Sequence, residues 1–197
     1  KKVDKTNYNL VLNENELFKI IEKIKKTKFF CFDTETTGLN PISAKLVGLS
    51  IGFESETFYI PFQHTCFDKN LDIKDTLELL KDCFESDTIK KTGQNLKYDC
   101  HILLNYGLKV SGIVDDSLLQ SYIIDSTQKH NLDSLAAKYL NIETVKYDEI
   151  TGKGSKKISF ADVDIKIAKD YSCEDADVTY KLTNHLNKIL EKEKDLD

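Results

Sequence analysis

The sequence predicts an α/β fold, a mixed β-sheet flanked by α-helices. Three observations lead there. Strand-like segments crowd the first half of the chain, while helical periodicities run between them and dominate the second half. The segment Phe29–Thr34 opens with four apolar residues and no polar face, as a strand covered on both sides requires. The chain has 197 residues, without an internal repeat or a linker-like stretch, enough for one domain (residues 1–197) with a sizeable core.

The elements follow in order. "YNLVLN" reads as a strand, and a helix runs from about Glu14 to Lys26, with Asn13 and Glu16 spaced as a helix start. Phe29–Thr34 is the next strand, closed by a loop at Gly38, Asn40 and Pro41. "KLVGLSIGF" and "TFYIPF" form two more strands, joined by a polar turn at Glu54–Glu56. A helix over roughly Lys74–Phe84 precedes a short strand at Ile89–Thr92. Beyond it lie helices over about Leu96–Tyr106, Ser117–Ile124, Leu132–Leu140 and Ala161–Lys192. Glu143–Ile158, with Gly152, Gly154 and four lysines, reads as a mobile basic loop, and "KEKDLD" as a solvated end.

Composition is that of a soluble globular protein, 40% hydrophobic and 31% charged. No apolar run approaches membrane-spanning length, and the N-terminus carries no signal-peptide pattern. A net charge of -5 does not advertise a nucleic-acid binder, although a local basic patch is compatible with an acidic whole. The chain lacks Met, so it is expected to be a fragment or a processed product. It also lacks Arg: all 28 basic residues are Lys, so any phosphate contact is made by a point charge rather than a bidentate fork. Five cysteines, an odd number with no C-x-x-C pair, fit a reducing intracellular compartment. Cys31, Cys100 and Cys173 lie within two residues of acids discussed below; a zinc reading competes with the plainer one of cysteine as a small hydrophobe.

Acid-x-acid spacing alone means little when 33 of 197 residues are acids; where acids fall relative to apolar faces means more. Asp33 and Glu35 end a core strand and point the same way. In the last helix, Ala168, Tyr171, Asp175, Val178, Leu182 and Ile189 share a core-facing stripe that Asp175 interrupts. Asp99 does the same among Leu96, Leu103 and Tyr106. Three elements thus send carboxylates inward, and hard divalent cations such as Mg²⁺ bind where carboxylates converge. Taken singly, each residue has a plainer role. Asp99 reads as a partly exposed helix residue, Asp175 as the partner of a lysine, Asp116 as an N-cap and Tyr171 as core packing. Glu174 and Asp177, on other faces of the last helix, are expected to be solvated.

"FDTETTGLN", "GQNLKYD" and "YSCEDADVT", in that order and spacing, resemble the three exonuclease motifs of the DNA polymerase I (family A) proofreading domain; "NLDSLA" and "DEITGKG" are similar too. The resemblance runs from about Leu10 to Leu190. It implies a ribonuclease-H-like fold and 3′→5′ hydrolysis of DNA from a free single-stranded 3′ end, releasing nucleoside monophosphates. It implies two divalent metal ions, Mg²⁺ with Mn²⁺ or Zn²⁺ as substitutes, held by Asp33, Glu35, Asp99 and Asp175, with a water oriented by Tyr171. Related exonucleases carry His five residues before the last Asp; Asp170 stands there, which indicates the tyrosine subclass. By the same resemblance Leu39, Gln94, Asn95, Tyr98 and Tyr147 contact the terminal nucleotides, and Lys129 stands where bacterial relatives usually carry Arg.

In such a site two cations clamp the scissile phosphate for in-line displacement. Leu39 is placed to wedge between bases, Tyr147 to stack on one, and Lys153–Lys157 to meet the backbone. The expected partner is a polymerase domain in the same longer chain; the domain itself is expected to be monomeric, away from membranes, in a bacterial cytoplasm or a DNA-containing organelle such as a plastid. Two alternatives stand beside this: an RNA exonuclease of the ribonuclease D type, and a catalytically inactive DNA-binding scaffold.

Overall fold

The apolar runs read as strands assemble into one sheet of order β1-β4-β3-β2-β5-β6 in a computed structural model that describes residues 2–194. The strands are β1 (Tyr8–Leu10), β2 (Phe29–Thr36), β3 (Leu46–Gly52), β4 (Thr57–Pro61), β5 (Lys90–Gly93) and β6 (Ile113–Asp116). β2 runs antiparallel to β3 and parallel to β5; β3 and β4 are antiparallel, and β1 and β6 are parallel edge strands. The sheet is mixed, as expected.

The helices are α1 (Glu14–Thr27), α2 (Ile73–Phe84), α3 (Leu96–Asn105), α4 (Ser117–Ile124), α5 (Leu132–Leu135), α6 (Tyr147–Thr151) and α7 (Ile165–Lys194). Local chemistry starts them. Asn13 accepts the Glu16 N–H at 3.1 Å while Glu16 reaches back to the Leu12 N–H, and Asp72 accepts the Asp75 N–H at 2.9 Å to begin α2.

Alternation along β2 divides the interior. Phe30 and Phe32 turn to one face and meet Phe84 of α2, each with ring centroids 5.2 Å apart, in a core shared with α1 and α3. Cys31, Asp33 and Glu35 turn to the other face, which α7 covers. There Tyr59, Val47, Phe160, Ala168 and Cys173 form a second core. β2 is therefore the wall between two layers, and its C-terminal end is open to residues from both.

Several expectations need correction. β6 was not anticipated: Ile113 and Val114 sit exposed on a four-residue edge strand and give no burial pattern. The helix expected over Leu132–Leu140 is α5 followed by a π turn, Ala136–Leu140. The expected loop Glu143–Ile158 contains α6 and a 3₁₀ turn at Gly154–Lys156. The last helix starts at Ile165 rather than Ala161, because Asp164 accepts the Lys166 N–H at 2.9 Å as its cap, and Phe160–Asp162 forms a separate 3₁₀ turn. Glu174 and Asp177 are buried, not solvated. Glu174 pairs with Lys5 at 3.0 Å and accepts the Val145 N–H; Asp177 accepts the Tyr8 hydroxyl at 2.9 Å and pairs with Lys181. Of the expected solvated end, residues 195–197 lie outside the described residues.

Candidate active site

The wall strand sets the site. Because Asp33 and Glu35 lie two residues apart on β2, both face α7, where Asp175 projects toward them. Asp33, Glu35 and Asp175 each offer an oxygen, and the three oxygens lie within 4.8 Å of one another. Asp99 arrives from the other side. Thr34, between the two β2 acids, faces α3, and Asp99 Oδ1 accepts both its N–H at 3.0 Å and its hydroxyl at 2.5 Å. The three elements expected to supply acids do supply them, but as a tight trio with a fourth acid offset across the strand.

These acids raise one another. Burial first, then Asp99, Glu35 and Asp175, hold the Asp33 carboxyl well above the usual carboxylate range. Burial and then Glu35 do the same for Asp175, against a hydrogen bond from the Tyr171 phenol. Burial pushes Glu35 up to about 7 although Ser172 donates to it, and pushes Asp99 up to about 7 against its bonds from Thr34. Burial and the neighbouring Asp175 raise Tyr171, whose ring packs against Phe160 and Tyr147. Lys5 and Lys181 are engaged by Glu174, one residue before Asp175, and Asp177, two residues after it. Closely spaced oxygen donors that repel one another fit a hard divalent cation, which removes the repulsion. The trio contains no cysteine, and Cys31 and Cys173 are buried within the core, as the small-hydrophobe reading has it.

The remaining candidates fall into two groups. Leu39, 94% exposed at the tip of the turn after β2, lines one cleft with Glu35, Thr36, Tyr98, Tyr147 and Lys157. The Tyr98 hydroxyl lies 2.6 Å from both the Gly38 carbonyl and Thr36 Oγ1, so Tyr98 fixes that turn as well as lining the cleft. Lys157 stands over the Tyr147 ring, 5.4 Å from its centroid. Gln94, Asn95 and Lys129 form the second group, outside that lining. Gln94 donates to the His130 carbonyl at 2.8 Å and accepts from Ser117, which ties it to the segment carrying exposed Lys129. Asn95 sits in the left-handed region, φ 61°, where its N–H and that of Leu96 both reach the Asp116 carboxylate. Asp116 is the expected N-cap of α4, accepting the Leu118 N–H at 2.9 Å, and it caps this turn as well.

Sequence reasoning missed Ser172 and Thr34, which hold Glu35 and Asp99. A signal existed for Ser172: it lies three residues before Asp175, hence on the same side of the helix.

Residues 8–191 match a family model described as 3′-5′ exonuclease. The chain belongs to the 3′-5′ exonuclease family. Members of this family are hydrolytic nucleases, and the acid trio at the mouth of β2 suits metal-dependent hydrolysis. DNA polymerase I of Pseudomonas aeruginosa is 36% identical over 190 residues, covering 93% of this chain and 21% of that protein. DNA polymerase I of Borreliella burgdorferi is 37% identical over 191 residues, covering 95% of this chain and 20% of that protein. The chain thus spans about a fifth of the relatives it matches. Among solved structures, the catalytic core of RRP6 from Trypanosoma brucei superposes with a TM-score of 0.73 at 12% identity, over 98% of this chain and 50% of that one. The fold is ribonuclease-H-like. As a 3′-5′ exonuclease with relatives that are DNA polymerases, the chain does not favour the ribonuclease D and inactive-scaffold alternatives.

Proposed function

We propose that this 3′-5′ exonuclease removes nucleoside monophosphates from single-stranded DNA 3′ ends, as the proofreading domain of a longer DNA polymerase chain. The observation that carries this reading is the convergence of Asp33 and Glu35, Asp175 and Asp99 from three elements on the end of one strand, beside an open cleft.

In this reading Asp33, Glu35 and Asp175 hold one divalent ion, and Asp33, with help from Asp99, holds a second; Mg²⁺ suits the all-oxygen donor set. Such ions, when bound, supply charge stabilisation to the phosphate and a water acidic enough to attack near neutral pH. The chain's own residues do the rest. Tyr171 and Glu35 orient the attacking water, which assigns the domain to the tyrosine, four-carboxylate subclass. Leu39 wedges between the last bases, and Tyr147 offers a ring for stacking. Tyr98, Gln94 and Asn95 contact the terminal nucleotides, and Lys129 meets the backbone. The support for these roles is position: Leu39, Tyr98 and Tyr147 share the cleft with Glu35, and Gln94 is tied to the backbone of His130, next to Lys129. An unpaired, splayed end is what such a cleft admits. The test is hydrolysis of a 5′-labelled single-stranded oligonucleotide with and without added Mg²⁺; a product ladder that is unchanged in excess chelator would reject the reading.

A further inference from the structure

The cleft beside Glu35 has an uneven wall. Glu35 and Asp148 line it, and Lys157 is the one cation among the described residues that do. The chain builds this placement locally. α6 begins at Tyr147 and ends at Gly152, whose N–H reaches the Asp148 carbonyl at 3.1 Å. Gly152 has φ 79°, a region that favours glycine, and a Cβ there would lie 2.9 Å from the Lys156 carbonyl oxygen. The following turn therefore folds tightly back on the helix end, and the Ile158 N–H closes it on the Thr151 carbonyl at 2.8 Å. The turn returns Lys157 to the start of the helix it follows, where its ammonium stands over the Tyr147 ring, 5.4 Å from the centroid. Lys153 and Lys156, on the same turn, are exposed but lie outside the cleft lining.

This ammonium is not spent on an acid. Among the described residues no carboxylate lies within ion-pairing distance of Lys157, although two acids line the same cleft. Its contact with the ring is the weak attraction of an exposed cation to a π face, and a charge-assisted hydrogen bond to phosphate is stronger. The contact also occupies surface that the proposed reaction needs. Phe160 and Tyr171 pack on the Tyr147 ring from the core, so the surface open to a base is the one on the cleft, where Lys157 stands. A stacked base and an ammonium cannot share it. A nucleotide supplies both parts of an exchange, a base for the ring and an anion for the lysine.

We propose that Lys157 is a displaceable cover on the Tyr147 ring, which moves to a phosphate of the strand when a base takes its place. Lys157 and Tyr147 then act as a pair on the bound strand, one through the phosphate and one through the base. The proposal rests on the reading in which Tyr147 stacks on a base of a single-stranded DNA end.

Two measurements test it. The first follows the Lys157 ε-methylene protons by NMR in protein with ¹³C-labelled lysine, the signal being identified by its loss in Lys157→Gln. In the free protein this signal should stand upfield, shifted by the Tyr147 ring. It should lose that shift in Tyr147→Leu, and also when a single-stranded oligothymidylate is added to the wild type in chelator. An unshifted signal in the free protein, or a shift that persists with the oligonucleotide bound, overturns the cover. The second is fluorescence anisotropy of the same oligothymidylate, 5′-labelled, in chelator at several salt concentrations. Lys157→Gln should weaken binding several-fold at low salt and lower the slope of log affinity against log salt by about 0.7, the share of one single-strand phosphate contact. Lys90→Gln is the control: Lys90 is exposed and pairs with Phe29 at the opposite end of β2 from Glu35, so affinity and slope should stay at wild-type values. An unchanged slope in Lys157→Gln, or an equal loss in Lys90→Gln, overturns the phosphate contact while leaving the exonuclease reading intact. A Tyr147→Leu variant that binds as tightly as wild type overturns instead the stacking reading beneath the proposal, and a wild type that binds no oligonucleotide overturns both.

Discussion

Asp33, Glu35 and Asp175 oppose one another when no cation is present, and this has consequences for both activity and stability. Asp33→Ala with Glu35→Ala should abolish hydrolysis yet leave a folded domain, more stable than wild type in chelator because like charges are gone; a double variant that still cleaves would remove the acids from the chemistry. The pH dependence follows from Glu35 and Asp99, each pushed up to about 7 by burial from ordinary values near 4. Carboxyls whose pKa is raised on folding favour the folded state below their unfolded values, and that contribution is lost as pH rises through the folded ones. The metal-free domain should therefore lose stability from about pH 4 to about pH 7, and Mg²⁺ should restore it. Thermal melts in chelator check this, with Glu35→Gln/Asp99→Asn as the control; an equally steep decline in the control would show that other groups are responsible. Tyr171 and Asp175 lie one helical turn apart but differ in task. Asp175→Ala should weaken metal binding, whereas Tyr171→Phe should leave it nearly unchanged and slow cleavage by roughly 10²-fold at most. Metal titrations of the two cleavage rates distinguish them, and a Tyr171→Phe variant that loses metal as readily as Asp175→Ala would refute this division.

Asp116 shows how one side chain serves two elements. It caps α4 and receives the N–H groups of Asn95 and Leu96, so Asp116→Ala removes an acceptor from two helix starts at once. The expected loss is about 1–2 kcal/mol of stability, together with a raised KM for oligonucleotide, because Asn95 and Gln94 lose their fixed turn. Chemical denaturation and steady-state kinetics measure the two effects; a stable variant with unaltered KM would show that the turn holds itself. Elements with a repeating apolar face were legible in advance. β2, β3, β4, α1 and α2 came within a few residues of their observed ends because each buries a regular set of side chains. β6 and α6 were not, being four and five residues long and half exposed, so their existence depends on neighbours rather than pattern. Asp99 and Asp175 were legible as acids breaking apolar stripes, and Asp33 and Glu35 as acids ending a core strand. Ser172 and the burial of Glu174 and Asp177 were not, because their partners, Glu35, Lys5 and Tyr8, lie more than a hundred residues away in sequence.

At the scale of the molecule, the proposed function asks an acidic chain to accept a polyanion. Lysines supply every cationic contact, and the cleft beside Glu35 carries Lys157 on its rim. Oligonucleotide affinity should fall as salt rises, since each lysine–phosphate contact releases counterions. Single strands and mismatched ends should be degraded faster than a matched duplex, whose terminal pairs must first melt. Equal rates on matched and frayed 3′ ends, measured side by side, would speak against proofreading. The two-layered wall also bears on how the chain comes into being. Glu35 meets Ser172 across 137 residues, and Asp175 follows Ser172 on the same late helix. While a ribosome is still making this segment, Asp33 and Glu35 are out but the helix that completes their cluster is not. A chain whose last helix has not docked therefore presents Asp33 and Glu35 without Asp175, and the acid trio forms only once that helix packs.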